Sequence, residues 1–491
     1  MVSLIIEVSK YLLILLAAIY TMQSYVAFRK RGEAQEFLFL RQNVLMFAIH
    51  FVAFMVLYLQ MEESQLLYFY GAQVIYLAAT LVLFRNLYPR ASKLIINNMC
   101  MLSTISFIML TRLSLDQSIK QFKILAAATV IALFVPVIIR KMHILKKLTW
   151  AYVVLGIGML GVVLVLAQTT GGAKLSISLG GFSFQPSEFV KIIFVFAVAG
   201  LLTAAKDFKH VVIATAVAAV HVLILVVSTD LGSALIFFVT YLIMLYVSTR
   251  KLWYLGAGAG AGSVAAVAAY FLFGHVKTRV AVWRDPFASY EGGGYQIAQS
   301  LFAIGAGGWF GTGLFQGSPE SIPIVEQDFM FAAVTEELGG IFSLCLILIC
   351  MSCFIMIVNI AMRLTDEYYR LVALGLGCIY AVQVFLTIGG AMKFIPMTGV
   401  TLPLVSYGGS SVVSTMVMFA IIQGLYILRE DEEDRFEEDQ EGYYDGYYED
   451  GYYEDGYYGE GYYEDGYYQD YPPEGYEDEY YGGPYDPYKR Q

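Results

Sequence analysis

Charge is what this chain has least of. Asp, Glu, Lys and Arg make up 15% of its 491 residues, against 58% hydrophobic, too few to solvate the surface of a water-soluble protein this large. Cysteine is scarce too. Cys100, Cys345, Cys350, Cys353 and Cys378 all fall in apolar runs with no histidine at metal-ligand spacing. That excludes a disulfide or zinc framework and leaves them as small buried hydrophobes. His50, His143, His210, His221 and His275 show no ligand spacing either, so no metal is assigned to them. Gly256, Gly258, Gly260 and Gly262 alternate as in a phosphate loop, but no Lys-Ser/Thr follows them. Inside an apolar run they are expected to let helices pack closely.

Long apolar runs are what the chain does have, and its mean hydropathy is +0.62. Runs near 4–28, 43–60, 65–84, 94–111, 123–140, 148–167, 187–204, 211–227, 232–248, 252–273, 329–360, 371–390 and 409–428 predict about thirteen membrane helices. The first begins at Ser3 without a basic region before it and contains Glu7 and Lys10, so a retained helix is expected rather than a cleaved leader. Basic residues cluster at 29–41, 85–93, 140–147, 206–209 and 250–251, each cluster two spans from the next. The positive-inside rule makes these loops cytoplasmic, with the N-terminus outside and the C-terminus inside. From Glu430 onward there are 23 acidic and 3 basic residues. The net charge of −10 therefore divides into an acidic tail and a basic membrane part. Between Gly442 and Asp470 that tail repeats Gly-Tyr-Tyr-acid-acid without aliphatic residues, and disorder is expected there.

One long polar stretch interrupts the apolar pattern, running from Phe273 to Phe329 and ending in a lone Asp328. By the topology above it lies outside, as do the polar segments 168–187, 228–231 and 391–408. Loops of this length carry function or are disordered, and Trp283, Tyr295, Trp309 and several Phe argue against disorder. A carboxylate at the mouth of a membrane helix is costly to keep, so Asp328 is the first candidate for chemistry; its plain alternative is capping the next helix.

Five segments carry a resemblance. Gln185-Pro186-Ser187-Glu188 followed by Lys191, and Ser228-Thr229-Asp230-Leu231-Gly232, come first. GYQIAQSLFAIGAGGWFGTGL, QDFMFAAVTEELGG and PMTGVTLPLVSYGGSS follow in order. Together they resemble the signatures of the SEDS proteins (shape, elongation, division and sporulation), the family typified by RodA and FtsW. The resemblance implies an all-α polytopic membrane protein with a ten-helix core at 94–429. Three extra N-terminal helices would occupy 1–93, and the acidic cytoplasmic tail 430–491. It implies an inverting peptidoglycan glycosyltransferase that polymerises lipid II beside a class B penicillin-binding protein in a bacterial plasma membrane.

On that reading Asp328 is the general base that takes a proton from the acceptor's 4-hydroxyl. Arg279 and Lys277 would meet the departing pyrophosphate, and Lys191, Glu188, Asp230, Gln296, Lys393 and Ser410 are further substrate-binding candidates. A divalent cation, Mg or Mn, is a candidate cofactor. Membrane lipids and cytoplasmic partners of the tail are expected, and no nucleic acid.

Plainer readings stand beside these. Glu188 and Lys191, three apart on one helix face, can simply pair; Asp230 can orient a helix break; Glu336 and Glu337 are expected to pair with a basic residue. Gly408-Gly409-Ser410-Ser411 can be a tight turn. The sequence departs from the family pattern at Gln327, which stands where Thr is usual, and at Ile324, which replaces an acidic residue, with Glu326 two positions on. The usual Arg-Trp before the first signature is absent, leaving Lys174 nearby. A lipid II flippase and a non-catalytic scaffold for a transpeptidase are the alternative functions.

Overall fold

The structure, a computed structural model, describes residues 2–449 apart from 142, 167, 171–172, 180–181 and 206. In chain order the helices are α1 (Val2–Val26), α2 (Glu33–Met61), α3 (Ser64–Leu87), α4 (Lys93–Leu113), α5 (Leu115–Lys141) and α6 (Thr149–Leu166). They continue as α7 (Pro186–Thr203), α8 (Phe208–Val227), α9 (Leu231–Thr249), α10 (Leu252–Leu272), α11 (Gly274–Arg284) and α12 (Tyr295–Gly307). The last three are α13 (Met330–Arg363), α14 (Glu367–Ala391) and α15 (Gly409–Glu449). Among the described residues thirteen helices are long and apolar enough to cross a membrane, as the apolar runs predict. In lipid a helix satisfies its own backbone, and this is a multi-pass membrane protein. α11 and α12 are the exceptions, two shorter helices inside the long polar stretch. The polar segment before α7 holds a small antiparallel meander of β1 (Gln168–Thr170), β2 (Ala173–Leu179) and β3 (Phe182–Phe184).

The core forms around α4, which is buried along its whole hydrophobic length. Its small polar residues make this possible, because Ser103 and Thr104 turn their hydroxyls back to the carbonyls of Met99 and Cys100. A buried polar ladder binds the N-terminal helices to this core. Tyr20 of α1 donates to Asn98 Oδ1 at 3.1 Å, and Asn98 Nδ2 donates to Ser352 of α13 at 2.7 Å. Gln42 of α2 donates to Ser24 at 2.9 Å and accepts from Asn97 at 3.0 Å. In a bilayer such bonds hold helices that apolar contact alone does not order.

At the other extreme α10 buries none of its residues. Its glycines divide in two. A Cβ at Gly258 or Gly262 would collide with Leu242 or Phe238 of α9, whereas Gly256 and Gly260 face open space. Close helix packing therefore rests on one Gly-x-x-x-Gly pair. All five cysteines are buried free thiols.

Residues up to Phe436 form one compact unit, so the acidic stretch begins inside it. Asp431 is gripped by Arg140 (2.6 Å) and Arg90 (2.9 Å), and Arg90 also meets Asp434 at 2.6 Å. The disorder expected for the Tyr-rich repeats concerns residues that lie largely beyond 449, outside the described residues.

Candidate functional site

The segment from Met392 to Gly408, between α14 and α15, has no regular structure, yet its carbonyls and that of Ala391 before it are claimed from every side. From α14, Thr387 Oγ1 donates to Val400 O (2.8 Å) and Gln383 Nε2 to Thr401 O (3.0 Å). From α5, Gln121 Nε2 donates to Ser406 O at 2.9 Å. The long polar stretch docks on the same segment. Ser300 of α12 donates to Ala391 O (2.8 Å), Trp283 Nε1 of α11 to Lys393 O (3.2 Å) and Arg279 Nη1 to Thr398 O (3.4 Å). Tyr407 N in turn donates to Glu326 O at 2.7 Å. Buried backbone groups need partners, and here those partners bring distant loops together.

Asp328 lies against this hub. A Cβ on Gly399 would stand 4.0 Å from Asp328 Oδ2, an ordinary van der Waals contact, so it is the φ of +74° that favours glycine there. The capping role is not what Asp328 does: Phe329 occupies the N-cap of α13, without a side-chain cap. Among the described residues the Asp328 carboxylate accepts no hydrogen bond. Burial pushes its pKa up to about 6, the Arg279 charge pulls against that shift, and the Glu326 charge adds to it. A half-buried carboxylate poised near neutrality, with a guanidinium in its field, is what proton abstraction requires. His275, one turn before Arg279, has its pKa lowered by burial and by the Arg279 charge.

Behind residues 398–401 lies a second cluster. Lys191 is 3% exposed and donates to Glu188 Oε2 (2.7 Å) and Gln383 Oε1 (2.8 Å), while Ser414 donates to Glu188 Oε2 at 3.0 Å. The pairing read from their spacing is present and buried. Asp230 caps α9, accepting from Ser233 N at 3.0 Å, and takes Ser187 Oγ at 3.1 Å. Burial raises its pKa and these bonds oppose the rise. Gly232 explains how this cluster reaches the hub, because a Cβ there would come 2.8 Å from Thr398 O.

The remaining sequence candidates are scattered. Gln296 Nε2 reaches Pro323 O at 3.5 Å, Lys277 is exposed, and Lys393 takes a left-handed φ of 58°. Ser410 accepts from Gln185 N at 2.9 Å, which joins α15 to the start of α7. Of Lys174 only its place in β2 is described. Glu337 does pair with a basic residue, Arg112, at 2.7 Å. Sequence reading passed over Arg112, Gln117 and Gln121. The signal was a basic residue at the end of a span remote from the basic loops, against the charge rule.

A family model described as the cell cycle protein family of FtsW, RodA and SpoVE matches residues 90–430. The chain belongs to this family. The SEDS resemblance is thereby established over the core, and the three N-terminal helices fall outside the match. Among similar proteins, the peptidoglycan glycosyltransferase RodA of Mycobacterium tuberculosis is 36% identical over 267 residues, 51% of this chain and 57% of that one. The chain thus matches a little over half the length of that relative. Stage V sporulation protein E of Bacillus subtilis is 33% identical over 288 residues, 56% of this chain and 77% of its own. Two solved structures share the fold. One is the rod shape determining protein RodA of Thermus thermophilus, with TM-score 0.53 and 21% identity over 69% of this chain and 97% of that one. The other is a chain from work on coordinated polymerization and crosslinking by a peptidoglycan synthase complex, with TM-score 0.60 and 22% identity over 69% and 98%. All of the SEDS-type motifs of this chain lie inside the family match.

Proposed function

We propose that this SEDS protein is a peptidoglycan glycosyltransferase that polymerises lipid II at the outer face of the plasma membrane, with Asp328 as general base. The observation that carries the reading is the Asp328 carboxylate, which accepts no hydrogen bond among the described residues and stands in the field of Arg279, with burial raising its pKa to about 6. The acceptor's 4-hydroxyl attacks the donor's anomeric carbon and gives its proton to Asp328 as the new C–O bond forms. The bond from that carbon to the lipid pyrophosphate breaks, and the electron pair leaves with the pyrophosphate. A single displacement of this kind inverts the anomeric centre. Arg279 and the exposed Lys277 lie on α11 to meet the charge that develops on the leaving group.

A Mg or Mn ion would fit the donors present. Such an ion needs only one or two carboxylates when phosphate oxygens complete its shell, and Glu326, two residues before Asp328, can supply one while Asp328 stays free to act as base. It would supply charge neutralisation at the pyrophosphate. Among the described residues no group of three His, Cys, Asp or Glu forms a ready-made site, so the ion would arrive with the substrate. Adding a chelator is then expected to slow polymerisation, with Mg or Mn restoring it.

Orientation follows the charges. Arg90, Arg140 and Arg363 gather at the end where α15 becomes acidic, supporting a cytoplasmic C-terminus, an outer N-terminus and an outer long loop. A class B penicillin-binding protein is the proposed transpeptidase partner. The polar groups that a lipid translocation path would use are already engaged: Glu7 with Lys10, Asp230 with Ser233 and Ser187, Glu337 with Arg112. Purified protein, its transpeptidase and labelled lipid II test the reading. Polymer that is lost in Asp328→Ala supports the enzyme. Lipid moved between leaflets without polymer supports a flippase, and neither activity a scaffold.

A further inference from the structure

The polymerase reading leaves unexplained how a carboxylate on a long loop is held in place. The segment from Gly311 to Phe329 connects α12 to α13, and its first half is tied down tightly. Thr312 N donates to Glu336 O at 2.8 Å and Gly313 N to Glu337 O at 2.9 Å. Ser318 N donates to Glu336 Oε1 at 2.8 Å and Phe315 N to Glu337 Oε1 at 3.2 Å. This loop therefore folds back on the first turns of the helix that it leads into. At Gly339, with φ 90°, α13 departs from helical geometry, and a Cβ there would meet Gly311 N at 2.5 Å. Both glycines are needed for the loop to lie so close.

Arg112 joins these parts. It ends α4, its side chain is only 9% exposed, and its Nε meets the fully buried Glu337 at 2.7 Å. Nη2 reaches Gly317 O and Glu320 Oε2, both at 3.2 Å. The guanidinium also lies 4.3 Å from the Phe315 ring centroid. One planar fork thus touches the head of α13 and three points of the loop, a geometry that lysine's single ammonium does not reproduce. Five residues later Gln117 Nε2 holds Glu326 Oε1 at 3.1 Å, so the same end of the α4–α5 pair grips the segment again, two residues before Asp328.

We propose, building on the polymerase reading, that Arg112 is a positioning residue: by clasping Glu337, Glu320 and Gly317 it fixes the 311–328 segment against α13 and so sets where Asp328 stands. Arg112 does not touch substrate. Its loss lowers kcat and leaves KM nearly unchanged, because the base is misplaced while the binding groups on α11 keep their places.

The test uses the full chain with its transpeptidase in lipid nanodiscs and labelled lipid II, alongside backbone hydrogen exchange. Arg112→Lys keeps the charge that Glu337 needs but loses the fork. The expected result is a fall in kcat of about 10²-fold, the scale of a misplacement near 1 Å, with KM within about two-fold. Exchange quickens in 311–328 while α14 keeps its protection. Wild-type kcat with unchanged exchange, or a raised KM with unchanged kcat, overturns the proposal. If α14 also loosens, the double variant Arg112→Leu/Glu337→Leu removes both buried charges together. With α14 protection restored, a kcat still depressed supports the proposal and a wild-type kcat overturns it. Should the wild type make no polymer, the polymerase reading fails, while the exchange comparison still shows whether Arg112 locks the loop.

Discussion

Asp230 and Asp328 stand in matching places, each at the mouth of a membrane helix, and burial raises the pKa of both. Asp230 offsets that cost with two hydrogen bonds, from Ser233 N and Ser187 Oγ. Asp328 has none among the described residues and relies on the field of Arg279. An ionised group in a poorly solvated place needs either structural partners or a use. The contrast separates a carboxylate that shapes a helix start from one left available to a substrate, although the sequence presents both as a lone Asp beside an apolar run.

The comparison breaks most sharply at Asp328 itself. Asp328→Asn removes the base without changing the side chain's size, and the rate of polymer formation is expected to fall by about 10²–10⁴-fold, with thermal stability unchanged or slightly higher. Equal losses in melting temperature and rate would place Asp328 with the structural carboxylates. Next in size is Lys191→Met. It leaves Glu188 buried without its cation and should destabilise the protein by about 3–5 kcal/mol, read as a lowered unfolding midpoint in detergent. The double variant Glu188→Gln/Lys191→Met should recover much of that loss; failure to recover would point to a role beyond mutual pairing.

Arg279→Gln is expected to lower kcat by about 10²-fold through the leaving-group charge. It should also move the acid limb of the pH–rate profile upward, since the Arg279 charge lowers the Asp328 pKa. An unmoved limb would mean that Arg279 and Asp328 do not act as a pair. The smallest effect belongs to Asp230→Ala, which loses a helix cap worth about 1 kcal/mol. Asp230→Asn can still cap and should stay close to wild type in stability. A rate loss in Asp230→Asn as large as that of Asp328→Asn would erase the distinction between the two sites.

Much of this architecture is legible in the sequence because lipid imposes simple demands. Each apolar run long enough to span becomes a spanning helix, and the charge at the boundary of the long polar stretch and the next run singles out Asp328. The Glu188–Lys191 pair follows from a spacing of three. Partnerships between distant residues are not legible in this way. Arg112 and Glu337 lie 225 positions apart, and neither residue names the other. The ladder through Tyr20, Gln42, Asn98 and Ser352 draws single polar residues from four separate runs, each of which alone reads as a tolerated exception. α11 and α12 were hidden by the glycines and aromatics around them. At the departures from the family pattern, the structure gives Glu326 a definite place: its carboxylate is held by Gln117, its backbone by Tyr407, and its charge is felt at Asp328.

The central claim is that Asp328 must be ionised to act. Its pKa is raised to about 6, so the group is a competent base above that pH and is protonated, and idle, below it. The direct measurement is the pH dependence of kcat/KM for lipid II polymerisation by the wild type and by Asp328→Asn. The account predicts a wild-type rate that falls on the acid side with a midpoint near pH 6, and a residual Asp328→Asn rate without that limb. A wild-type profile level down to pH 4, or the same limb persisting in Asp328→Asn, would contradict it.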